Sequence, residues 1–461
     1  MREDKRMKKI VLIEQRYPYG KDKVYLSGSI VSVAARLLIM GHEVQLVDLN
    51  IDRMHQTHVR KKLREADLIG VAVVGAPAIP GLLRLIPQIR AFAQDTLILV
   101  GGQVIERVTT DQFNRIFGTY SAVTQIKDNY DLAQALDCKV LDLPPPEAVS
   151  YVPVWKQMGE ERMVRYLEHE SVLVISQGCH FRCDFCAASK QMKESFRSVE
   201  VFVNDLRHLT QIAQRARLKK LEFYASSLDF FQNPKIVARF LEVIEQMQLD
   251  SGIEIKIRCL SCLGSFLAAR EEIPNFDDLL RRAGLWCIGF GIDGDEKDWR
   301  SQKKRQNKQG DIVRCLEITR DLGITAEFLM VMGFPTQDGQ KLRELVTNAL
   351  QVVEEWPHVV LRPYLAKLAV PGNKGWKTRH DIVELIMSNP KLFYNLDFCA
   401  LGSSLTHPDP EHRRLSNEAF LEICALATTG KCATSALQPQ GEEGEAGVRA
   451  AEFNRLQPFD R

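Results

Sequence analysis

The sequence predicts an α/β protein in three parts: a parallel sheet with helices on both faces, an open six-unit β/α partial barrel, and a mainly helical carboxy-terminal segment. Three observations carry this expectation. Short β-branched runs alternate with amphipathic helical patterns over the first third of the chain, the alternation resumes at Ser171 and repeats through six strands, and it stops after Tyr364.

Lys9 to Ile13 reads as a buried strand, Gly28 to Met40 as a helix closed by Gly41, and Glu43 to Asp48 as the next strand, which makes a β-α-β unit. Leu68 to Val74 and Thr96 to Val100 are two further strands. Between them a helical pattern from Gly81 to Gln94 turns Leu82, Leu83, Ile86 and Ile89 inward. In such sheets ligands lie beyond the carboxyl ends of the strands. The residues at those ends are Glu14, Gln15, Asp48, Gly75, Gly101, Gly102 and Gln103. Glycine there admits close approach of a ligand to the backbone, and it equally serves an ordinary turn. No G-x-G-x-x-G follows the first strand, which argues against a dinucleotide.

Cys138 to Glu170 is polar, carries Pro144, Pro145 and Pro146, and reads as an interdomain linker. Beyond it, Val172 to Ser176, Lys220 to Tyr224, Ile253 to Arg258, Trp286 to Ile292, Ile324 to Met332 and His358 to Arg362 read as six strands. Helical patterns lie at Val199 to Arg217, Pro234 to Gln248, Asp311 to Leu322 and Gln340 to Glu355. Chemistry in such an arrangement belongs at the carboxyl rim of the strands. Gln438 to Gly447 is rich in Gln, Glu and Gly, the composition of a disordered tail. The expected division is a first domain at 1–140, a linker at 141–170, the partial barrel at 171–364, a substrate-side helical segment at 365–435 and a tail at 436–461.

Bulk composition narrows the function classes. The 461 residues suffice for two or three domains of about 150 residues each. Lys plus Arg (61) nearly cancels Asp plus Glu (59), so no general positive field points to nucleic acid or an anionic membrane. The longest weakly polar stretch, Leu68 to Leu83, is broken by Pro77 and Pro80 and falls short of the roughly 18 apolar residues of a span. Eleven cysteines in a long chain with no visible secretory signal point to reduced thiols or metal ligands in a cytoplasmic protein.

Three of those cysteines stand together. Directly after the first barrel strand comes Gly178-Cys179-His180-Phe181-Arg182-Cys183-Asp184-Phe185-Cys186, a C-x3-C-x2-C array in a rim loop. Structural zinc is normally closed by four ligands, and the one local candidate for a fourth, His180, lies between the first two cysteines and would strain the loop. An iron-sulfur cube held by three thiolates instead leaves one iron open to a substrate or cofactor.

At these residues the sequence resembles the radical S-adenosylmethionine (SAM) superfamily, whose cluster motif has this spacing and an aromatic residue before the last Cys. The resemblance implies that Cys179, Cys183 and Cys186 ligate a 4Fe-4S cluster whose open iron chelates SAM, with Phe185 near the adenine. It places Tyr224, Ser226 and Ser227, at the end of the second strand, by the amino end of SAM. Ala283 to Asp293 resembles the family's glycine-bearing strand, with Asp293 standing where Glu is frequent. Gly333-Phe334-Pro335 resembles the Gly-x-Pro turn after the fifth strand. Arg258, at the expected end of the third strand, would meet the ribose or carboxylate of SAM or else form a salt bridge.

A parallel-sheet domain before such a partial TIM barrel resembles the cobalamin-binding radical SAM subfamily, on the stretches Leu37 to Asp48, Leu68 to Val74 and Leu99 to Gly102. The first domain is then expected to be Rossmann-like and to hold cobalamin along Asp48, Gly75, Gly101, Gly102 and Gln103. Asp-x-His-x-x-Gly is absent after the first strand, as is usual in that subfamily. The resemblance implies a methyltransferase acting on an unactivated carbon or on phosphorus of a small-molecule substrate, supplied with electrons by a donor such as flavodoxin or ferredoxin. The alternatives are a cyclase or rearrangement enzyme with the same cofactors and a non-catalytic SAM- or cobalamin-binding regulator.

Other features carry plainer readings. Cys259 and Cys262 form a C-x2-C after the third strand, either a metal or redox pair or two packed thiols. Lys303, Lys304, Arg305 and Lys308 read as a solvated face, or as an approach surface for the electron donor. Within Thr406 to Arg414, His407 and Asp409 form an acid-base pair or else a satisfied His beside a helix-capping Asp. Cys399, Cys424 and Cys432 are too scattered for a second cluster.

Overall fold

The computed structural model describes residues 7–16, 26–188, 194–304, 306–396, 405 and 407–433. The expected tail, Cys399, Thr406 and Arg305 lie outside these residues.

The amino-terminal sheet comprises β1 (Lys9–Glu14), β2 (Glu43–Asp48), β3 (Leu68–Ala72), β4 (Leu97–Gly101) and β5 (Val123–Ile126), all parallel in the order β2-β1-β3-β4-β5. Its helices are α1 (Gly28–Ile39), α2 (Thr57–Glu65), α3 (Ile79–Arg90), α4 (Thr110–Phe117) and α5 (Asn129–Leu136). Ile10 and Leu12 join the core on the side of α1 and α5, while Val11 and Ile13 join the other core with α2, α3 and α4. That two-sided burial is why the strands are continuous apolar runs. Leu82, Ile86 and Ile89 of α3 are fully buried as expected, whereas Leu83 is only half-buried and Leu85 takes an inward place.

The expected linker is not extended. It contains α6 (Val152–Met158) and α7 (Glu160–Leu167), whose Trp155, Met163, Tyr166 and Leu167 belong to a core running unbroken from the first sheet into the barrel. The three prolines precede these helices, and α6 carries Pro153 in its first turn.

The barrel sheet begins with β6 (Ser171–Val174). A short antiparallel pair, β7 (Ser176–Gln177) and β8 (Ser195–Phe196), brackets the cysteine loop, and α8 (Val199–Arg215) follows. Then come β9 (Lys220–Ser226), α9 (Pro234–Ser251), β10 (Glu254–Ser261), α10 (Leu263–Glu272), α11 (Phe276–Arg282), β11 (Leu285–Gly291), α12 (Glu296–Ser301), α13 (Gln309–Leu322), β12 (Thr325–Met332), α14 (Gly339–Glu355) and β13 (Val359–Leu365). The six long strands are parallel in the order β6-β9-β10-β11-β12-β13, an open partial barrel. Phe223, Ile255, Ile257 and Cys259 bury outward against helices, which leaves the alternate residues Tyr224, Arg258 and Cys287 in one row across the concave face.

The carboxy-terminal segment divides between the two domains. α15 (Lys374–Thr378) and α16 (His380–Ser388) place Trp376, Ile382 and Ile386 in the core formed by α3 and α4 of the amino-terminal domain, and Arg115 forks onto Glu384 at 2.9 Å. α17 (Pro410–Ala425) returns to the barrel with Phe420 and Ile423 buried there, and residues 431–433 hydrogen-bond along Leu361 of the edge strand β13.

Candidate cluster and cofactor site

The cysteine loop leaves β7 through Gly178, whose φ of +84° lies in the left-handed region that glycine adopts at little cost. Cys183 is buried, while Cys179 and Cys186 are half-exposed. Burial pushes the Cys179 thiol up to about 12, with Asp229 and the other two cysteines adding to the effect. Burial raises Cys183 also, against the opposing pull of Gln306, whose Nε2 lies 3.7 Å from its sulfur, and of Lys304. Three thiols held together here need a positive centre to become thiolates, which is what an iron-sulfur core supplies. Among the described residues no three His, Cys, Asp or Glu side chains are gathered closely enough to hold one metal ion. Cys179, Cys183 and Cys186 would hold an iron-sulfur cluster rather than a single ion.

Phe185 turns its ring into a small apolar wall with Phe334, at 6.0 Å between centroids, and with Val331, Tyr364 and Ala366. Beside it stands a residue whose sequence context pointed elsewhere. Lys304, expected on a solvated face, is 5% exposed, and its ammonium donates to the Asp293 carboxylate and to the Gly291 carbonyl at 2.6 Å. It also lies 5.9 Å from the Phe185 ring centroid. A Cβ on Gly291 would come within 2.6 Å of the ammonium nitrogen, so the bare glycine makes room for it. Lys303 and Lys308 are exposed as expected, and Lys303 pairs with Asp184 at 3.2 Å.

Two expected SAM contacts fall lower in the barrel. β10 runs to Ser261, three residues past its expected end, so Arg258 is not at the rim. Its guanidinium forks onto Glu170 at 2.7 and 2.8 Å, approaches Glu327 at 3.5 Å and lies 4.8 Å from the Tyr224 ring centroid. Glu327 is in turn held by Arg362 at 2.6 Å. Tyr224 and Arg258 therefore belong to a polar floor of the concave face. Ser226 ends β9 at the rim, and Ser227 is buried with its hydroxyl 2.9 Å from that of Ser176. Gly333 has a φ of +83°, and an added Cβ would stand 3.0 Å from the Ser416 hydroxyl, so the Gly-x-Pro turn is packed against α17.

Sequence reasoning missed Asp229 and Glu194, whose neighbours come from distant parts of the chain. Asp229 accepts from the Ser261 and Ser265 hydroxyls, both at 2.7 Å, and from the Cys262 thiol at 2.9 Å. Cys259 is fully buried, so the C-x2-C is a packed arrangement in which the two thiols have different surroundings. Glu194 lines a groove with His180, Phe196, Gln232, Asn233 and Ile236, and burial lifts its carboxyl to about 7 despite hydrogen bonds from Gln232 and Ser176. His407 accepts from the Asp409 backbone while the Asp409 carboxylate caps α17, so the two side chains are not an acid-base pair.

At the amino-terminal sheet edge, Gly102 has a φ of +121°, and any Cβ there would strike the Val73 carbonyl at 2.4 Å. Gly75 has an ordinary extended backbone, and a Cβ there would make only van der Waals contact with Pro77 at 3.6 Å. Gly101 ends β4, and Gln103 is half-buried in the loop that follows. Asp48 departs from the expectation of a ligand contact. It is 0% exposed, and its carboxylate is taken up by the Tyr166 hydroxyl and by Asn50 at 2.7 Å, so it anchors α7 instead. Val74 is an exposed apolar residue just past the end of β3. The two domains meet at Gly372, where a side chain would press on the Ala187 carbonyl of the cysteine loop at 2.5 Å and on Arg107 of the first domain at 3.1 Å.

Residues 173–349, which contain the cysteine loop and five of the six barrel strands, match the Radical SAM superfamily. That stretch is similar to a radical SAM domain. The fold of the chain is that of the radical SAM methyltransferase TsrM from Kitasatospora setae, solved with tryptophan substrate and the SAM analogue aza-SAM bound. There the match has a TM-score of 0.60 and 14% identity over 95% of this chain and 92% of that one. A second TsrM structure, with cobalamin and a 4Fe-4S cluster bound, matches at a TM-score of 0.58 and 15% identity over 78% and 76%. The cobalamin-dependent SAM radical enzyme OxsB, with aqua-cobalamin and SAM bound, matches at 0.58 and 15% over 85% of this chain and 56% of OxsB, so the chain spans little more than half of that protein. No curated protein sequence matches the chain. Among the described residues no helix is long and apolar enough to cross a membrane.

Proposed function

We propose that this radical SAM protein is an enzyme that uses a 4Fe-4S cluster on Cys179, Cys183 and Cys186 to cleave SAM, with cobalamin in the amino-terminal domain, and that it methylates a carbon or phosphorus of a small molecule. The observation that carries this reading is the junction at Gly372, which brings the cysteine loop against the amino-terminal domain just beyond β4. A methyl carrier and a radical source must address one substrate, and apposed rims satisfy that need.

When bound, the cluster supplies the electron that cleaves SAM, and cobalamin supplies a transferable methyl group. The chain's own residues bind, orient and exclude water. Phe185, with Phe334 and Val331, offers an apolar wall for the adenine. The buried Lys304–Asp293 pair places one positive and one negative group by the cluster loop, the complement of the amino and carboxylate ends of SAM. Val74, exposed just past the end of β3, suits the apolar face of a macrocycle. Flavodoxin or ferredoxin is the proposed class of electron donor.

The test is anaerobic reconstitution with iron, sulfide and hydroxocobalamin, followed by turnover with SAM carrying a labelled methyl group and a panel of small molecules. The expected result is 5'-deoxyadenosine together with label in a product. Deoxyadenosine and an altered product without label would replace methylation with cyclisation or rearrangement. A fully loaded protein that forms neither product would make the chain a binder of its cofactors.

A further inference from the structure

Glu14 ends β1, the strand from which the amino-terminal sheet is built outward in both directions, with β2 on one side and β3 on the other. In doubly wound sheets ligands enter the crevice beyond the strand ends at this switch point. Glu14 is 5% exposed and lies in register beside Asp48. Its Oε2 is buried and has no hydrogen-bond partner among the described residues. The next residue, Gln15, bridges the same crevice by donating from Nε2 to the Ala72 carbonyl at the end of β3, at 3.0 Å.

A buried polar atom without a partner is a costly feature and calls for an explanation in a ligand, a water or a function. Among the described residues, no salt bridge joins Glu14 to a cation. Asp48 of β2 is occupied by Tyr166 and Asn50, and Arg162 of α7 is committed to Asp52 at 2.8 Å. Burial, reinforced by Asp48, pushes the Glu14 carboxyl well above the usual range. The neutral acid has one O–H donor and one carbonyl acceptor, the complement of a primary carboxamide, and the rim of a corrinoid is set with such amides.

We propose that Glu14 hydrogen-bonds a peripheral carboxamide of a corrinoid seated beyond the ends of β1 and β3. The assignment rests on the cobalamin reading above and adds to it a residue that reads the ligand.

The experiment is an equilibrium titration of the full chain with hydroxocobalamin, followed by absorbance, with thermal melts of each variant. Glu14→Gln keeps a donor and an acceptor and should bind within about threefold of wild type. Glu14→Leu should bind at least tenfold more weakly while melting no lower, because an unpaired polar atom has been removed. Wild-type affinity should fall as pH rises and the acid loses its proton, whereas the Glu14→Gln profile stays flat, a readout that stands if the Leu variant fails to fold. Glu14→Leu binding as wild type does, or equal pH slopes in wild type and Glu14→Gln, would overturn the assignment and leave cobalamin binding intact. No binding by wild type would remove the cobalamin reading and this assignment together.

Discussion

Lys304 and Asp293 form a buried ion pair next to the cysteine loop, with the ammonium also capping the Gly291 carbonyl. Removing one partner of a buried pair leaves an uncompensated charge, at a cost of about 3–5 kcal/mol. Lys304→Met should therefore lower the unfolding midpoint strongly in denaturant titration, and the double variant Lys304→Met, Asp293→Asn should recover most of the loss. A single variant as stable as wild type would show that the pair is not buried as described.

The cysteines divide by position. Alanine at Cys179, Cys183 or Cys186 should abolish stable iron and sulfide loading under anaerobic reconstitution. The double variant Cys259→Ala, Cys262→Ala should load as wild type does, since Cys259 is sealed in the core and Cys262 is engaged by Asp229. Iron analysis and the visible absorption of the cluster decide the matter. Loss of iron in the second variant would make the C-x2-C a ligand set.

Glu194 supplies a pH dependence with a defined sign. Its carboxyl is held near 7 in the folded chain, chiefly by burial, and titrates near 4.5 when unfolded. The folded state therefore binds more protons between these values, so its stabilising contribution is complete below about pH 4.5 and is lost as pH rises through about 7. Thermal melts of wild type against Glu194→Gln should diverge over that window, with the wild type losing relative stability towards neutral pH. Parallel profiles would place Glu194 in solvent.

Asp48 and Tyr166 tie the first sheet to α7. Tyr166→Phe deletes the hydroxyl donor to a fully buried carboxylate and should cost about 1–3 kcal/mol. Because α7 bridges the two domains, limited proteolysis of this variant should cut first within residues 138–170. Cleavage unchanged from wild type would limit Asp48 to a local role within β2.

Much of this architecture was legible because its signals are local. Apolar runs such as Lys9–Glu14 and Thr325–Met332 are buried on both sides and declare themselves, and the three cysteines fall within eight residues of one another. β5 escaped notice because Val123–Ile126 is four residues long and half polar, with Gln125 turned inward onto the Ile105 and Val108 carbonyls. Lys304 was hidden by its neighbours. Within a run of cations only the fold brings one of them beneath Phe185, and its partner Asp293 comes from beyond the end of β11. Arg258 was placed by a strand end set three residues too early, a shift that moved it from the floor of the barrel to its rim. The helices in the expected linker are short, and their stability comes from Trp155 and Tyr166 packing against both domains, which no local pattern announces.

The path of the last third of the chain has a consequence for how the molecule holds together. Trp376, Ile382 and Ile386 complete a core whose other wall is α3 and α4, and α17 then completes the barrel. A polypeptide ending after β13 would thus expose apolar surface on both domains at once, and a fragment of the first 170 residues would lack one wall of its own core. The two domains are clasped by a strap that follows both in the chain, so the amino-terminal domain completes its core only with side chains from beyond the barrel, and the protein should unfold in a single cooperative transition.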